Sequence, residues 1–265
     1  MSLTVVITAK NEEKVIARAI QSATFADEII VVDDSSQDRT AEIVTAAGAR
    51  IIQNEWEGYG SQKNRGLSAA TSKWVFFLDA DEEISPALRQ EITTVLSGTT
   101  QYSVYWVRVV DIFLGRPLKH LTGNNPRLVR KGQAQWTNRA VHEQMELINA
   151  SGDRIVKLGG DNSGMIPAFL IHHSHATVSS YLEKMHGYTS LDAAQMAASG
   201  KHRSGRSIKP SKLLPCTLAV RQFIKLAFYR GGLRDGYAGF MWALLSGYYE
   251  WEMGNKYLNM VKKHI

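Results

Sequence analysis

Cysteine is almost absent. Cys216 stands alone among 265 residues, which excludes an internal disulfide and a Cys-rich metal site and suits a reducing compartment. Long apolar runs are missing too. No stretch reaches the roughly 18 uninterrupted apolar residues of a spanning helix, and the longest uncharged one, Tyr237 to Tyr249, falls short. The opening "MSLTVVITAKNEE" has no basic region, and its apolar stretch is too short for a signal-peptide core, so a cytoplasmic location is expected. Acids are scarce at the other end. After residue 199 only Asp235, Glu250 and Glu252 face 12 of the 31 Lys and Arg, a net of +9 for the tail. The first 199 residues, with 19 basic and 22 acidic side chains, carry −3. A basic tail fits nucleic acid, an anionic membrane surface or a solvated face. No recognised nucleic-acid motif accompanies it, so no nucleic-acid partner is expected. A chain of this length with 44% hydrophobic residues suffices for one large domain, or for a domain with an appendage.

Apolar strands and amphipathic helices alternate through the first third. "LTVVITA", "EIIVVDD", "RIIQNEW" and "KWVFFLDADEE" read as strands. "NEEKVIARAIQSAT", "DRTAEIVTAAGA" and "GSQKNRGLSAAT" read as helices between them,. That order predicts an α/β fold, a Rossmann-like, mostly parallel central sheet with helices on both faces. Ligands of such sheets sit beyond the carboxyl ends of the strands, and three polar clusters, "TAKNEE", "DDSSQD" and "DADEE", fall at those ends. Later pieces are looser. "YSVYWVRVVDIFLG", "PRLVRKG" and "AQWTNRAVHEQME" read as strands and turns, and "AFLIHHSHATVSSYLEKMHGY" as a strand entering a helix. The polar, basic segment 199–212, "SGKHRSGRSIKPSK", is the best linker. It separates a catalytic domain, 1–198, from a helical region, 213–265.

The third cluster poses a question of charge. In "WVFFLDADEE" a buried-looking strand ends in four carboxylates, Asp79, Asp81, Glu82 and Glu83. Like charges so close need a metal ion, a basic ligand or solvent among them. The alternative is a solvated loop capping a helix that begins at Ser85 and Pro86.

These motifs, "VVITAKNEE", "VVDDSSQDRT" and the D-x-D of "FFLDADEE", match in order and spacing those of a family 2 inverting glycosyltransferase of GT-A fold, which the chain resembles over residues 3–83. "RLVRKG", "AVHEQM" and "HHSHATVSSYLEKM", followed by a basic apolar tail, resemble the lipopolysaccharide core β-glucosyltransferase branch. The resemblance implies a nucleotide-sugar donor, UDP-glucose first, and a lipid-linked or lipopolysaccharide-core acceptor. It also implies a divalent cation, Mg2+ or Mn2+, which neutralises the departing diphosphate through oxygen ligands. Asp79, with Ala80 beside it, would approach the ribose and Asp81 would hold the metal. Asp34 would accept the imide N–H of the base, while Asp33 is expected to cap or brace. Thr8, Lys10, Asn11 and Glu12 would line the donor site, with helix N-terminal roles open for Asn11 and Glu12. Lys63 and Asn64 match a position near the nucleotide, with an exposed helix face as the alternative for Lys63. Glu82 and Glu83 are expected as helix N-terminal charges.

An inverting transfer needs one base for the acceptor hydroxyl, and Glu143 of "AVHEQM" is the candidate, a strand-end charge being the alternative. Three histidines, His172, His173 and His175, read as structural or phosphate-facing; His175 is kept as a candidate for metal or diphosphate contact. Trp136 is expected in the core, stacking against a sugar acceptor being the alternative. The apolar, basic tail reads as a helix lying on an anionic membrane surface, which places the protein on the inner face of the cytoplasmic membrane, or else as a lid or dimer contact. Two other functions compete: an Asp-nucleophile phosphatase, which carries its D-x-D on the first strand rather than the fourth, and a non-catalytic sugar-nucleotide-binding scaffold on the membrane.

Overall fold

The computed structural model describes residues 2–137, 144–148, 154–155, 158 and 162–262. Its elements run β1 (Leu3–Ala9), α1 (Ile16–Ser22), β2 (Glu28–Asp33), α2 (Thr40–Ala46), β3 (Arg50–Gln53), α3 (Tyr59–Ala69), β4 (Trp74–Asp79), β5 (Glu82–Ile84), α4 (Pro86–Ser97) and β6 (Val104–Phe113). Then follow β7 (Arg116–Pro117), β8 (Gly123–Arg130), β9 (Ala134–Trp136), β10 (Met145–Ile148), β11 (Arg154–Ile155), β12 (Gly164–His175), α5 (Val178–Ser199), α6 (Leu214–Ile224) and α7 (Gly236–Lys262).

The main sheet runs β3-β2-β1-β4-β8-β6-β12-β5, with β7 paired to β6. Its first four strands are parallel, as the alternating pattern implies. From β8 onward the described pairings are antiparallel, so the sheet is mixed. β1 is buried on both faces because it lies between two parallel neighbours and under helices,. Alternation along the strands sorts the side chains. Val5, Ile7, Trp74, Phe76 and Leu78 join one cluster with α1 and α4. Val6, Val75 and Phe77 join another with Leu67 of α3 and with β9 and β10 of the small sheet β11-β10-β9. Gly66 lets α3 approach β1: a Cβ there would come within 2.3 Å of Val6 Cγ1.

By compactness the chain forms two units, 1–110 with 123–173, and 111–122 with 174–265. The second therefore holds α5 and the 111–122 hairpin as well as the tail, a division different from one at 198. The cause is apolar: Phe113, Leu118 and Leu121 bury together with Tyr181, Met185 and Ala238. Segment 199–212 is also bound into that unit rather than left as open chain. Lys201 bridges Ser207, and His202 Nε2 and Arg203 Nη2 pair with Glu250 of α7 at 2.9 and 2.6 Å.

Candidate active site

The carboxyl ends of β1, β2 and β4 bring the three polar clusters together. Register places Thr8 opposite Asp79 across β1 and β4, and the Thr8 hydroxyl lies 3.4 Å from Asp79 Oδ1. Lys10 Nζ pairs with Asp34 Oδ2 at 2.5 Å, Lys10 being exposed and Asp34 buried. The loops after β1 and β2 brace each other. Asn11 N–H donates to Ser36 Oγ, Glu12 N–H to Thr40 Oγ1 and Glu13 N–H to Asp38 Oδ2. In return Gln37 N–H donates to Asn11 Oδ1 and Arg39 N–H to Glu13 Oε2. Asn11 and Ser35 hold left-handed backbone, φ 54° and 47°, a conformation that costs about 1–2 kcal/mol outside glycine and asparagine. Asp33 is a brace as well, accepting the backbone and hydroxyl protons of Ser36.

The four carboxylates at the end of β4 and beyond it take different partners. Asp79 lies 3.6 Å from Lys63 Nζ and 3.1 Å from Arg127 Nη2. Asp81 Oδ2 is 3.3 Å from His172 Nε2. Glu82 Oε1 is 2.5 Å from Arg127 Nη2, both side chains being buried, and its Oε2 accepts the Asp79 N–H at 2.8 Å. Glu83 turns to His173 at 3.0 Å and to Arg18 at 3.9 Å. The expectation that Glu82 and Glu83 are helix N-terminal charges is corrected: both belong to β5, and Ser85 caps α4 with Pro86 in its first turn. The pairing of β5 with β12 sets Glu82 opposite His172.

Titration follows these contacts. Burial opposes the charge on Asp79, but the Lys63 ammonium and the Arg127 guanidinium outweigh it and hold this carboxyl well below the usual carboxylate range,. Burial pushes Glu82 up to about 7; Arg127 offsets this only in part, and the nearby Asp79 charge adds to it.

Several expectations are sharpened. Lys63 is buried, not on an exposed helix face, and its ammonium sits 4.7 Å from the Trp136 ring centroid. Trp136 is a core residue, edge-on to Phe77. Asn64 holds β9, exchanging both amide hydrogen bonds with the Trp136 backbone. Ala80 is buried. Among the histidines it is His172 that faces Asp81. His175 belongs to the second unit, with its ring against Tyr181. Glu143 lies outside the described residues. Sequence reasoning missed Arg127, the residue joining Asp79 to Glu82. Its signal was a lone charge in the apolar run "RLV" of β8, where it is buried.

Among the described residues, no three His, Cys, Asp or Glu side chains converge as a metal site. Asp81 still suits a cation that takes one or two protein carboxylates and completes its shell with substrate phosphate and water, the usual habit of Mg2+.

The comparisons agree with this geometry. The model of Glycosyl transferase family 2 matches residues 4–158. An uncharacterized glycosyltransferase of Rickettsia prowazekii is 30% identical over 89% of this chain and 79% of its own length. The lipopolysaccharide core biosynthesis glycosyltransferase LpsC of Rhizobium meliloti is 28% identical over 94% and 89%. A crystal structure of a mycobacterial protein shares the fold at 20% identity, with a TM-score of 0.50 over 77% of this chain and 76% of that one. With the motifs, the strand-end site and these relatives in agreement, the chain belongs to glycosyl transferase family 2.

Proposed function

We propose that this enzyme moves a hexose from a nucleotide sugar, UDP-glucose being the first donor to test, to a lipid-linked or lipopolysaccharide-core acceptor, by a metal-dependent displacement that inverts the anomeric centre. The observation that carries it is the pair Asp79 and Asp81 at the carboxyl end of the parallel strands, one held ionised between Lys63 and Arg127, the other beside His172. The core-biosynthesis name of the Rhizobium meliloti relative supports the acceptor class.

In this reading Asp79 stays charged and accepts the ribose hydroxyls. Asp34 takes the imide N–H of the base once Lys10 turns to the diphosphate, and Thr8 and Ala80 line the floor. Asn11 and Glu12 act through the loop they brace. Asp81 would hold Mg2+ or Mn2+ with His172, His175 remaining outside this set. Bound there, the cation would neutralise charge on the departing diphosphate. Glu143 takes the proton of the acceptor hydroxyl as its oxygen bonds the anomeric carbon, and the nucleoside diphosphate leaves with the bonding pair. The acceptor would be met on the inner face of the cytoplasmic membrane.

The test is thermal stabilisation by a panel of nucleotide sugars, with Mg2+, with Mn2+ and with chelator. A donor at about 100 times its Kd stabilises by about 2.7 kcal/mol. Asp81→Ala should melt like the parent without donor and lose the metal-dependent part of that stabilisation. Metal-independent stabilisation in the parent, or unchanged metal dependence in the variant, overturns the assignment.

A further inference from the structure

The second unit exposes a large apolar face. From the start of α6 through a π-helical turn at Lys225–Tyr229, Leu213, Val220, Ile224, Phe228 and Tyr229 are 69, 57, 40, 61 and 84% exposed. Most of them recur three, four or seven residues apart and form one stripe. A second stripe runs along α7 through Tyr237, Phe240, Leu244, Tyr248 and Trp251, each at least 39% exposed.

Both stripes lie on the same side of the helix pair. Gly254 packs against Pro215, Gly247 against Ala219, and Phe240 against Phe223, so α6 and α7 are antiparallel. At 100° per residue, each stripe is offset in the same rotational sense from its own helix's line of contact. In an antiparallel pair, equal senses point to one side. Beside α6 this side has a cleft of about 800 Å³, lined by Val220, Ile224 and Tyr229 together with Arg206, Arg221 and Lys225 and by no acid.

The charge identifies what covers it. The tail's three acids are engaged within the unit: Asp235 with His120, Glu250 with His202 and Arg203, Glu252 with His186 and Lys256. From α6 to the end of α7 the field offered to solvent is therefore that of the Lys and Arg side chains. A second copy docked by this face would bring two basic surfaces of like charge together,. Among the described residues no helix is long and apolar enough to cross a membrane. Aromatic and aliphatic side chains rimmed by Lys and Arg are the composition of a helix lying in a lipid interface.

We propose that the α6–α7 face docks on an anionic phospholipid leaflet, with the Arg206, Arg221 and Lys225 cleft seating a lipid phosphate. The proposal does not rest on the sugar donor. The full chain is sedimented with phosphatidylcholine vesicles, with and without phosphatidylglycerol, at low and high salt. Binding to the anionic vesicles is expected, weakened but not abolished by salt. Arg221→Glu with Lys225→Glu should weaken it on the order of 30-fold at low salt. Phe228→Ser with Tyr229→Ser should remove the salt-resistant part. Both double variants should keep the parent melting temperature and its response to nucleotide sugar. The proposal is overturned if the full chain stays in solution with anionic vesicles or if the variants bind as the parent does. A vesicle-independent dimer dissolved by the same substitutions also overturns it.

Discussion

Arg127→Met tests the charge balance under the strand ends. The substitution keeps an apolar stem and removes the guanidinium, so Glu82 loses a partner at 2.5 Å and Asp79 one at 3.1 Å. In the parent, burial lifts the Glu82 pKa from 4.5 to about 7, a difference of about 3 kcal/mol at ~1.4 kcal/mol per unit. Without Arg127 the main force holding it down is gone, and it rises further. A raised native pKa gives stability that is complete below the unfolded value, near 4.5, and is lost as pH climbs through the native value. At pH 5 Glu82 is largely protonated in both proteins, so at Glu82 the variant loses only hydrogen bonding, about 1–2 kcal/mol, while the loss at Asp79, ionised at both pH values, is common to pH 5 and pH 8. At pH 8 the parent holds a paired carboxylate. The variant keeps it protonated against bulk pH, which adds about 1.4 kcal/mol to the loss seen at pH 5, the cost of the one unit between the parent's native value near 7 and pH 8,. Urea unfolding at both pH values, followed by tryptophan fluorescence and far-ultraviolet circular dichroism, reads the difference. Adding Glu82→Gln should recover the part of the loss added at pH 8. Equal losses at pH 5 and pH 8, or a parent-like stability at pH 8, would refute the reasoning.

Glu143→Gln should hold donor affinity while turnover falls about 100-fold or more; steady-state kinetics with retained turnover and collapsed donor affinity would move Glu143 to the donor site. Gly66→Ala should cost about 1–3 kcal/mol in denaturant midpoint, because its Cβ would sit 2.3 Å from Val6 Cγ1 and 3.1 Å from Val32 Cγ2; no shift would mean that α3 can lift from the sheet. Lys63→Met should raise the Asp79 pKa, visible by carboxyl NMR titration, since Lys63 is the largest of the charges that hold it down; an unmoved titration would assign that role to Arg127 alone.

The parallel half of the sheet was legible because strands buried on both faces are nearly continuous apolar runs, and "LTVVITA", "EIIVVD" and "WVFFLD" are such runs. The strand-end acids followed from topology. What stayed hidden depends on register between strands far apart in sequence. Arg127 reaches Asp79 because β8 pairs antiparallel with β4, and His172 reaches Asp81 because β12 pairs with β5. Neither pairing leaves a local pattern. Parity decides the histidines: a shift of one residue would exchange His172 for His173 at Asp81. Lys63 was ambiguous for a related reason, since a charged residue on a short, weakly amphipathic helix reads as solvated until its ring partner, Trp136, is placed. The tail's division was obscured because Phe113, Leu118 and Leu121, which help to make its core, lie some sixty residues before α5.

The four clustered carboxylates also bear on why a cation would be required. They do not share one space: alternation within β5 turns Glu83 away from Glu82, toward His173 and Arg18, while Asp79, Asp81 and Glu82 lie with Lys63, Arg127 and His172. Arg127 is committed twice, to Asp79 and to Glu82. Lys63 lies between Asp79 and the Trp136 ring. Lys10 is paired with Asp34. Among the described residues, an arriving diphosphate would therefore find Lys63 and Arg127 already spent on the protein's own acids and gain Lys10 only by its release from Asp34, with Asp79 ionised throughout the physiological range. Repulsion from Asp79 and Asp81 would oppose binding until a divalent ion added positive charge between carboxylate and phosphate. The same arithmetic gives the Asp79 charge a use, because a carboxylate that stays ionised remains an acceptor for ribose hydroxyls at any working pH. Donor affinity in this site should thus be inseparable from the metal, whereas the folded state, whose ion pairs close without it, should not.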